Sequence, residues 1–379
     1  MPVMLRTIQT ALPPTVLHQD EVRDVFAAQA GLTRLGQRLI QTSFDSADIS
    51  TRRTVVKEFD TSLESEDQPV FYDAERNELL RPTTGIRNEV YAEQAGALFI
   101  EAARKALDAC PEIQATDVTH LITVSCTGFY NPGPDYQIVR ELGMKPSTLR
   151  YHLGFMGCYA AFPGLRAAAD FCRADPDAVV LVVCAELCTL HVHSSNDPDT
   201  IMGSALFADG AAAALLTGQD HGRSGLRMDA FESTLTPVGE ESMAWKIGDH
   251  GFDMVLGTYV PHIIDEHISG ALAPLLARNG QHLENYAQIP LWGIHPGGRS
   301  ILDRVQKRLE LSEEQLEPAR HVLRNYGNMS SVTVLFVLKR IMEENLSGLA
   351  PEGQQVCSMA FGPGLTVESA LMTLLPERG

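Results

Sequence analysis

The chain has 379 residues, 44% hydrophobic and 21% charged, with a formal net charge of −18. That is the composition of a globular protein with a sizeable core, and the acidic balance excludes nucleic acid as a partner. No apolar run reaches the roughly 20 residues that span a bilayer, residues 1–20 lack the basic segment and apolar core of a signal peptide, and seven cysteines, an odd number, fit a reducing cytoplasm.

Met4–Thr10 reads as a strand, followed by helical stretches with Asp20, Glu21 and Asp24 at one start. Ile49-Ser50-Thr51-Arg52-Arg53 sets two adjacent arginines in an acidic chain and, taken alone, reads as a solvated turn. Apolar and small residues recur at helical spacing from Asn88 to Ala109. His120–Ser125 reads as a strand that runs into a turn-rich loop, Cys126 to Pro134. Cys158 then stands between a glycine-containing turn and a predicted helix, Tyr159–Ala174. A sulfur at a helix N-terminus meets unpaired N–H groups and the positive end of the dipole, which favour a thiolate. Without further company such a cysteine is a small buried hydrophobe. Pro176 closes the helix, Ala178–Cys184 is an apolar β-branched run and hence a buried strand, and Leu206–Gly210 turns sharply into the strand Ala211–Leu216.

The second half repeats this grammar. Ile289–Ile294 reads as a strand ending in His295-Pro296-Gly297-Gly298, before a helical Ser300–Leu309. Tyr326-Gly327-Asn328-Met329-Ser330-Ser331 opens the helix Val332–Glu344, as Met156-Gly157-Cys158-Tyr159-Ala160-Ala161 opens the earlier one. A strand, a glycine turn and a final strand follow in each case, the later strands being Gln355–Met359 and Glu368–Leu375. The expectation is one compact α/β unit of two duplicated halves. Residues 1–230 carry the cysteine and 231–379 the histidine and asparagine, so that equivalent helix starts bring Cys158 and Asn328 into one cavity.

Cys158, His295 and Asn328 are the set a nucleophilic acyl-transfer enzyme needs: a thiolate, an imidazole to pair with it or donate to an oxyanion, and an amide as second donor. Each lies at an inferred strand end or helix start, where α/β proteins concentrate chemistry. With Gly157-Cys158-Tyr159-Ala160-Ala161, Ala205 to Ala211, Gly293 to Gly298, Asn325 to Ser331 and Gly362-Pro363-Gly364, the chain resembles the type III polyketide synthases, the chalcone-synthase-like branch of the thiolase superfamily, over nearly its whole length. The resemblance implies a five-layered αβαβα thiolase-like fold, a homodimer, and no metal or redox cofactor. It also implies coenzyme A thioesters as substrates: an acyl-CoA starter loaded on Cys158, and malonyl-CoA held by His295 and Asn328 while it loses carbon dioxide. Phe207 matches the family's gatekeeper. Arg52, Arg53, Gly298 and Arg299 fall where CoA is contacted, and the arginines supply the positive patch an anionic substrate requires. Cys126, Thr127, Cys188, His191, Trp245, Met254 and Ser330 fall near cavity-lining positions. The pairing of Cys126 with Thr127 is more like bacterial members, and Trp245 replaces a much smaller residue of the plant enzymes.

His191-Val192-His193 with Asp197 and Asp199 invites a zinc site, but no third ligand stands at convincing spacing. Cys126 has a rival reading as a second nucleophile, although no helix start supports it. A ketoacyl-carrier-protein synthase III, which condenses once, and a non-catalytic thiolase-fold scaffold are the alternatives. The expected product is a pyrone or a resorcinol-type aromatic.

Overall fold

In a computed structural model, residues 2–60, 68–219, 222–257, 259–278, 286 and 288–377 are described. The strands are β1 (Met4–Ala11), β2 (Thr15–His18), β3 (Thr51–Thr54), β4 (Tyr72–Asp73), β5 (Glu78–Leu79), β6 (His120–Ser125), β7 (Leu149–Gly154), β8 (Val179–Leu187) and β9 (Asp209–Thr217). They continue with β10 (Gly225–Leu235), β11 (Met243–Gly248), β12 (Gly251–Leu256), β13 (Leu291–Ile294), β14 (Gln354–Gly362) and β15 (Thr366–Leu375). The helices are α1 (Gln19–Ala27), α2 (Arg34–Ser46), α3 (Thr84–Asp108), α4 (Pro134–Leu142) and α5 (Ala161–Ala174). After them come α6 (Pro198–Leu206), α7 (Val260–Arg278), α8 (Arg299–Leu309), α9 (Glu313–Tyr326) and α10 (Thr333–Asn345).

Nine strands join in the order β13-β14-β15-β10-β1-β9-β8-β6-β7. The duplication is written in this order. On one side β6 runs parallel to β8, which is antiparallel to β9, which is antiparallel to β1. On the other, β13 runs parallel to β14, β14 antiparallel to β15, and β15 antiparallel to β10. Among the described residues the second side lacks only a counterpart of the edge strand β7. The two sides meet where β1 pairs antiparallel with β10 over Met4↔Arg227 and Leu5↔Leu226. Residues 230 and 231, the expected division, lie inside β10; we place the division between β9 and β10.

The layers follow from two-sided burial. Along β8, Val180, Val182 and Cys184 face one core cluster, and Leu181, Val183, Ala185 and Leu187 face another. This is strand alternation with both faces apolar. The second cluster is closed by α3 through Leu98, Phe99, Ala102 and Ala103. The first holds α5 and α10, each of which touches both sides of the sheet, while α7 covers β10 and β15. The sandwiched α5 is built from small residues because it must fit between strands: a Cβ on Gly164 would come within 3.1 Å of Val182. This is the thiolase-like arrangement. No described helix is long and apolar enough to cross a membrane.

Candidate active site

Cys158, His295 and Asn328 converge on one cavity, walled also by Cys126, Thr127, Cys188, Phe207, Trp245, Met254 and Ser330. It leaves about 50 Å³ for the centre of a water-sized sphere. The elements explain the convergence. Cys158 follows β7 on a turn before α5, His295 leaves the end of β13 with its N–H on the Met359 carbonyl at 2.8 Å, and Asn328 lies between α9 and α10. The helix after Cys158 begins at Ala161, not Tyr159, so the sulfur lies short of the first turn.

The turn that carries Cys158 is fixed by the distant Gly362-Pro363-Gly364 segment. Gly157 has φ +84°, and a Cβ there would stand 2.6 Å from Pro363 Cδ. Only glycine gives both the left-handed backbone and this closeness.

Asn328 is aimed by its neighbours. Its Oδ1 accepts from the Ser330 N–H at 2.8 Å and its Nδ2 donates to the Gly297 carbonyl at 3.2 Å, leaving one amide hydrogen for the cavity. Ser330 takes a left-handed φ of 48°, uncommon for a non-glycine residue, and thereby brings its N–H onto that oxygen. Both ring nitrogens of His295 are buried without a partner among the described residues.

The electrostatics depart from the expected thiolate–imidazolium pair. Burial raises Cys158 to about 11, against hydrogen bonds from Ser330 and Asn328 that lower it, and burial lowers His295 to about 3. With no sulfur–imidazole hydrogen bond, burial outweighs the hydrogen bonds to the sulfur, and neither charged form has an opposite charge beside it. Burial favours the thiol and the neutral imidazole, which still carries one ring N–H to donate.

One residue escaped the sequence analysis. Glu186, fully buried on β8, accepts from Ser331 Oγ (2.5 Å), the Cys126 N–H (2.9 Å), Thr127 Oγ1 (3.0 Å), Ser125 Oγ (3.3 Å) and Cys126 Sγ (3.4 Å). Its signal was a carboxylate in an otherwise apolar strand. Beside it Cys126 is a thiol pushed well up, first by burial and then by that charge, so it forms a cavity wall.

Two other expectations change. His191 does not line the Cys158 cavity. Its Nε2 lies 2.7 Å from the Thr127 carbonyl, its Nδ1 accepts from the Phe252 N–H, and it stacks on Phe252 at 4.1 Å. With both nitrogens engaged it is not free to ligate zinc, and among the described residues no group of three or more His, Cys, Asp or Glu could hold a metal. Arg52 is not a surface contact either. It is 1% exposed and points inward from β3, while Arg53, next on the strand, faces outward and donates to the Pro14 carbonyl. Arg299, just past Gly298 at the start of α8, stays half-exposed beside a charged hollow with Asp48, Lys307 and Arg320.

Residues 2–220 match the family of chalcone and stilbene synthases, N-terminal domain, and residues 228–376 match its C-terminal domain. The chain belongs to the chalcone and stilbene synthase family. Its structure superimposes on PKS-I from the brown alga Ectocarpus siliculosus (28% identity, 99% of this chain and 98% of that one, TM-score 0.91). It superimposes likewise on the 1,3,6,8-tetrahydroxynaphthalene synthase of Streptomyces coelicolor A3(2), a bacterial type III polyketide synthase (28%, 98% and 99%, TM-score 0.84). A type III pentaketide synthase from Neurospora crassa matches at 25% identity over 98% and 99%, TM-score 0.84. The chain is thus an acyltransferase with the type III polyketide synthase fold.

Proposed function

We propose that the enzyme condenses malonyl-CoA units, with loss of carbon dioxide, onto an acyl-CoA starter held on Cys158. The observation that carries this is the convergence of Cys158 with two donors, the His295 ring and the aimed Asn328 amide, in one cavity. In the loading step the sulfur attacks the starter carbonyl, the acyl thioester forms on Cys158, and the thiol proton leaves with CoA. Malonyl-CoA then binds with its thioester oxygen toward His295 and Asn328. Breaking the carbon–carboxylate bond leaves an enolate, whose oxygen the two N–H groups stabilise. No strong base is needed. The enolate carbon attacks the acyl-Cys158 carbonyl, the C–S bond breaks, and the CoA-bound chain, two carbons longer, can reload. The narrow cavity supports a small cyclised product, a pyrone or resorcinol-type aromatic.

Arg299 and Gly298 are offered as CoA contacts on the strength of the exposed guanidinium. We read no further cofactor into the reaction. A homodimer is supported by β7, an edge strand that exposes apolar Leu149 and Tyr151, which a second copy would cover. Seven free cysteines suit the reducing cytoplasm.

The test is incubation with malonyl-CoA and a panel of acyl-CoA starters, with mass spectrometry of products and intact protein. Expected are an acyl adduct on Cys158, release of carbon dioxide, and loss of product in Cys158→Ala with the fold intact. Asn328→Ala should slow decarboxylation by roughly 10²–10³-fold, the usual cost of one oxyanion donor, while Cys158 still acylates. An adduct on Cys126, with Cys158→Ala active, would overturn the assignment.

A further inference from the structure

Arg52 is buried beneath the site, and among the described residues no carboxylate is in hydrogen-bond contact with it. Its Nη1 donates to the carbonyls of Ser204 (2.9 Å) and Phe207 (2.6 Å), and its Nε donates to Gln19 Oε1 (3.0 Å). Gln19 in turn donates to the Ala205 carbonyl at 2.8 Å. These carbonyls belong to the last turn of α6 and the residue after it, where a helix leaves its C=O groups unpaired and its dipole favours a cation. The same guanidinium stem forms the floor under Gly327, where a Cβ would lie 2.8 Å from Arg52 Cγ at a φ of +69°. The strip that begins there is zipped to the end of α6. The Asn328 N–H donates to the Leu206 carbonyl and the Ala208 N–H to the Asn328 carbonyl, both at 2.9 Å.

We infer that Arg52 is a positioning residue that holds the Phe207 wall and the Asn328 donor in one fixed register from behind. The inference rests on the reading of Asn328 as an oxyanion donor. It replaces the expectation that Arg52 binds CoA phosphate. Lysine could serve a phosphate as a point charge, but it lacks the planar fork that serves two carbonyls and Gln19 together. Asp209, buried nearby, supplies the long-range compensation for the interior cation.

The experiment compares wild type, Arg52→Lys, Arg52→Gln and Gln19→Leu, the last a milder change should the arginine variants fold poorly. Decarboxylation is measured with malonyl-CoA and with the malonyl thioester of N-acetylcysteamine, which carries no phosphate. The expected result is a kcat loss approaching 100-fold in the arginine variants, the scale of a misplaced catalytic group. The loss should be smaller in Gln19→Leu, equal for the two thioesters, and accompanied by little change in KM. A loss confined to malonyl-CoA as a raised KM, or full rescue by lysine, overturns the inference. Acrylamide quenching gives an independent readout. Trp292 is 1% exposed, so quenching reports Trp245, whose ring lies 6.4 Å from Phe207. Quenching should rise in all three variants; unchanged quenching overturns the inference. Wild type inactive on both thioesters would defeat the proposed function, while quenching would still decide the role of Arg52.

Discussion

Replacing Gly157 by alanine tests how Cys158 is held. Two terms add. A left-handed backbone costs a non-glycine residue about 1–2 kcal/mol. The new methyl would lie 2.6 Å from Pro363 Cδ and 3.0 Å from Cγ, atoms of a stiff ring, and such overpacking costs about 1–3 kcal/mol. The sum is about 2–5 kcal/mol. At ~2.1 cal/mol/K per residue the unfolding entropy of this chain is ~0.8 kcal/mol/K, so Tm should fall by ~3–6 °C. Thermal denaturation and malonyl-CoA decarboxylation are the assays, and activity should fall further than stability because the clash displaces Cys158 itself. Pro363→Ala in the same chain should return the steric part and leave the backbone part, a coupling that a double-mutant cycle measures. Gly270→Ala, in α7 with nothing within 4 Å, is the control and should not destabilise. Wild-type Tm and turnover in Gly157→Ala would refute the reasoning.

Three further outcomes follow from the site. With Cys158 raised by burial and His295 neutral, alkylation by iodoacetamide should keep climbing from pH 8 toward 11, and His295→Ala should give a superimposable profile; a plateau below pH 8 that His295→Ala moves upward would restore the ion pair. His191 and His295 are both lowered to about 3, so the stability each contributes is present above pH 6.5 and is lost as pH falls toward 3, by up to about 1.4 kcal/mol per pH unit. His295→Gln should therefore shift acid unfolding, followed by circular dichroism, to lower pH, and an unmoved midpoint would mean that the imidazole is hydrated. Trp245 walls both the Cys158 cavity and a neighbouring space of about 240 Å³ bounded by His193, Thr200 and Phe252, so Trp245→Ala should join them and lengthen the products or the starters accepted; an active variant with an unchanged product spectrum contradicts this partition.

The local signals of this sequence were sufficient for seven of the nine strands of the large sheet, β1, β6, β8, β9, β13, β14 and β15, and not for β7 or β10. His120–Ser125 was legible to the residue, and the apolar run at β8 to within a few residues, because burial on both faces writes itself as unbroken β-branched composition. The repeat around Cys158 and Asn328 was legible because both halves need a glycine, a functional residue and small residues before a central helix. What the sequence could not show was direction and distance. Two neighbouring arginines look alike in one dimension, yet strand alternation at β3 sends Arg52 inward and Arg53 outward. Cys158 and His295 invite an ion pair when read as types. Only the folded cavity decides that no hydrogen bond joins them and that burial dominates the ionisation of both. Glu186 and its five donors are drawn from β6, the loop after it, β8 and the turn before α10, and such a set exists only after those elements pack. Periodicity is a property of neighbours along the chain and survives in the sequence; desolvation and register between segments 100 or more residues apart belong to the tertiary structure alone.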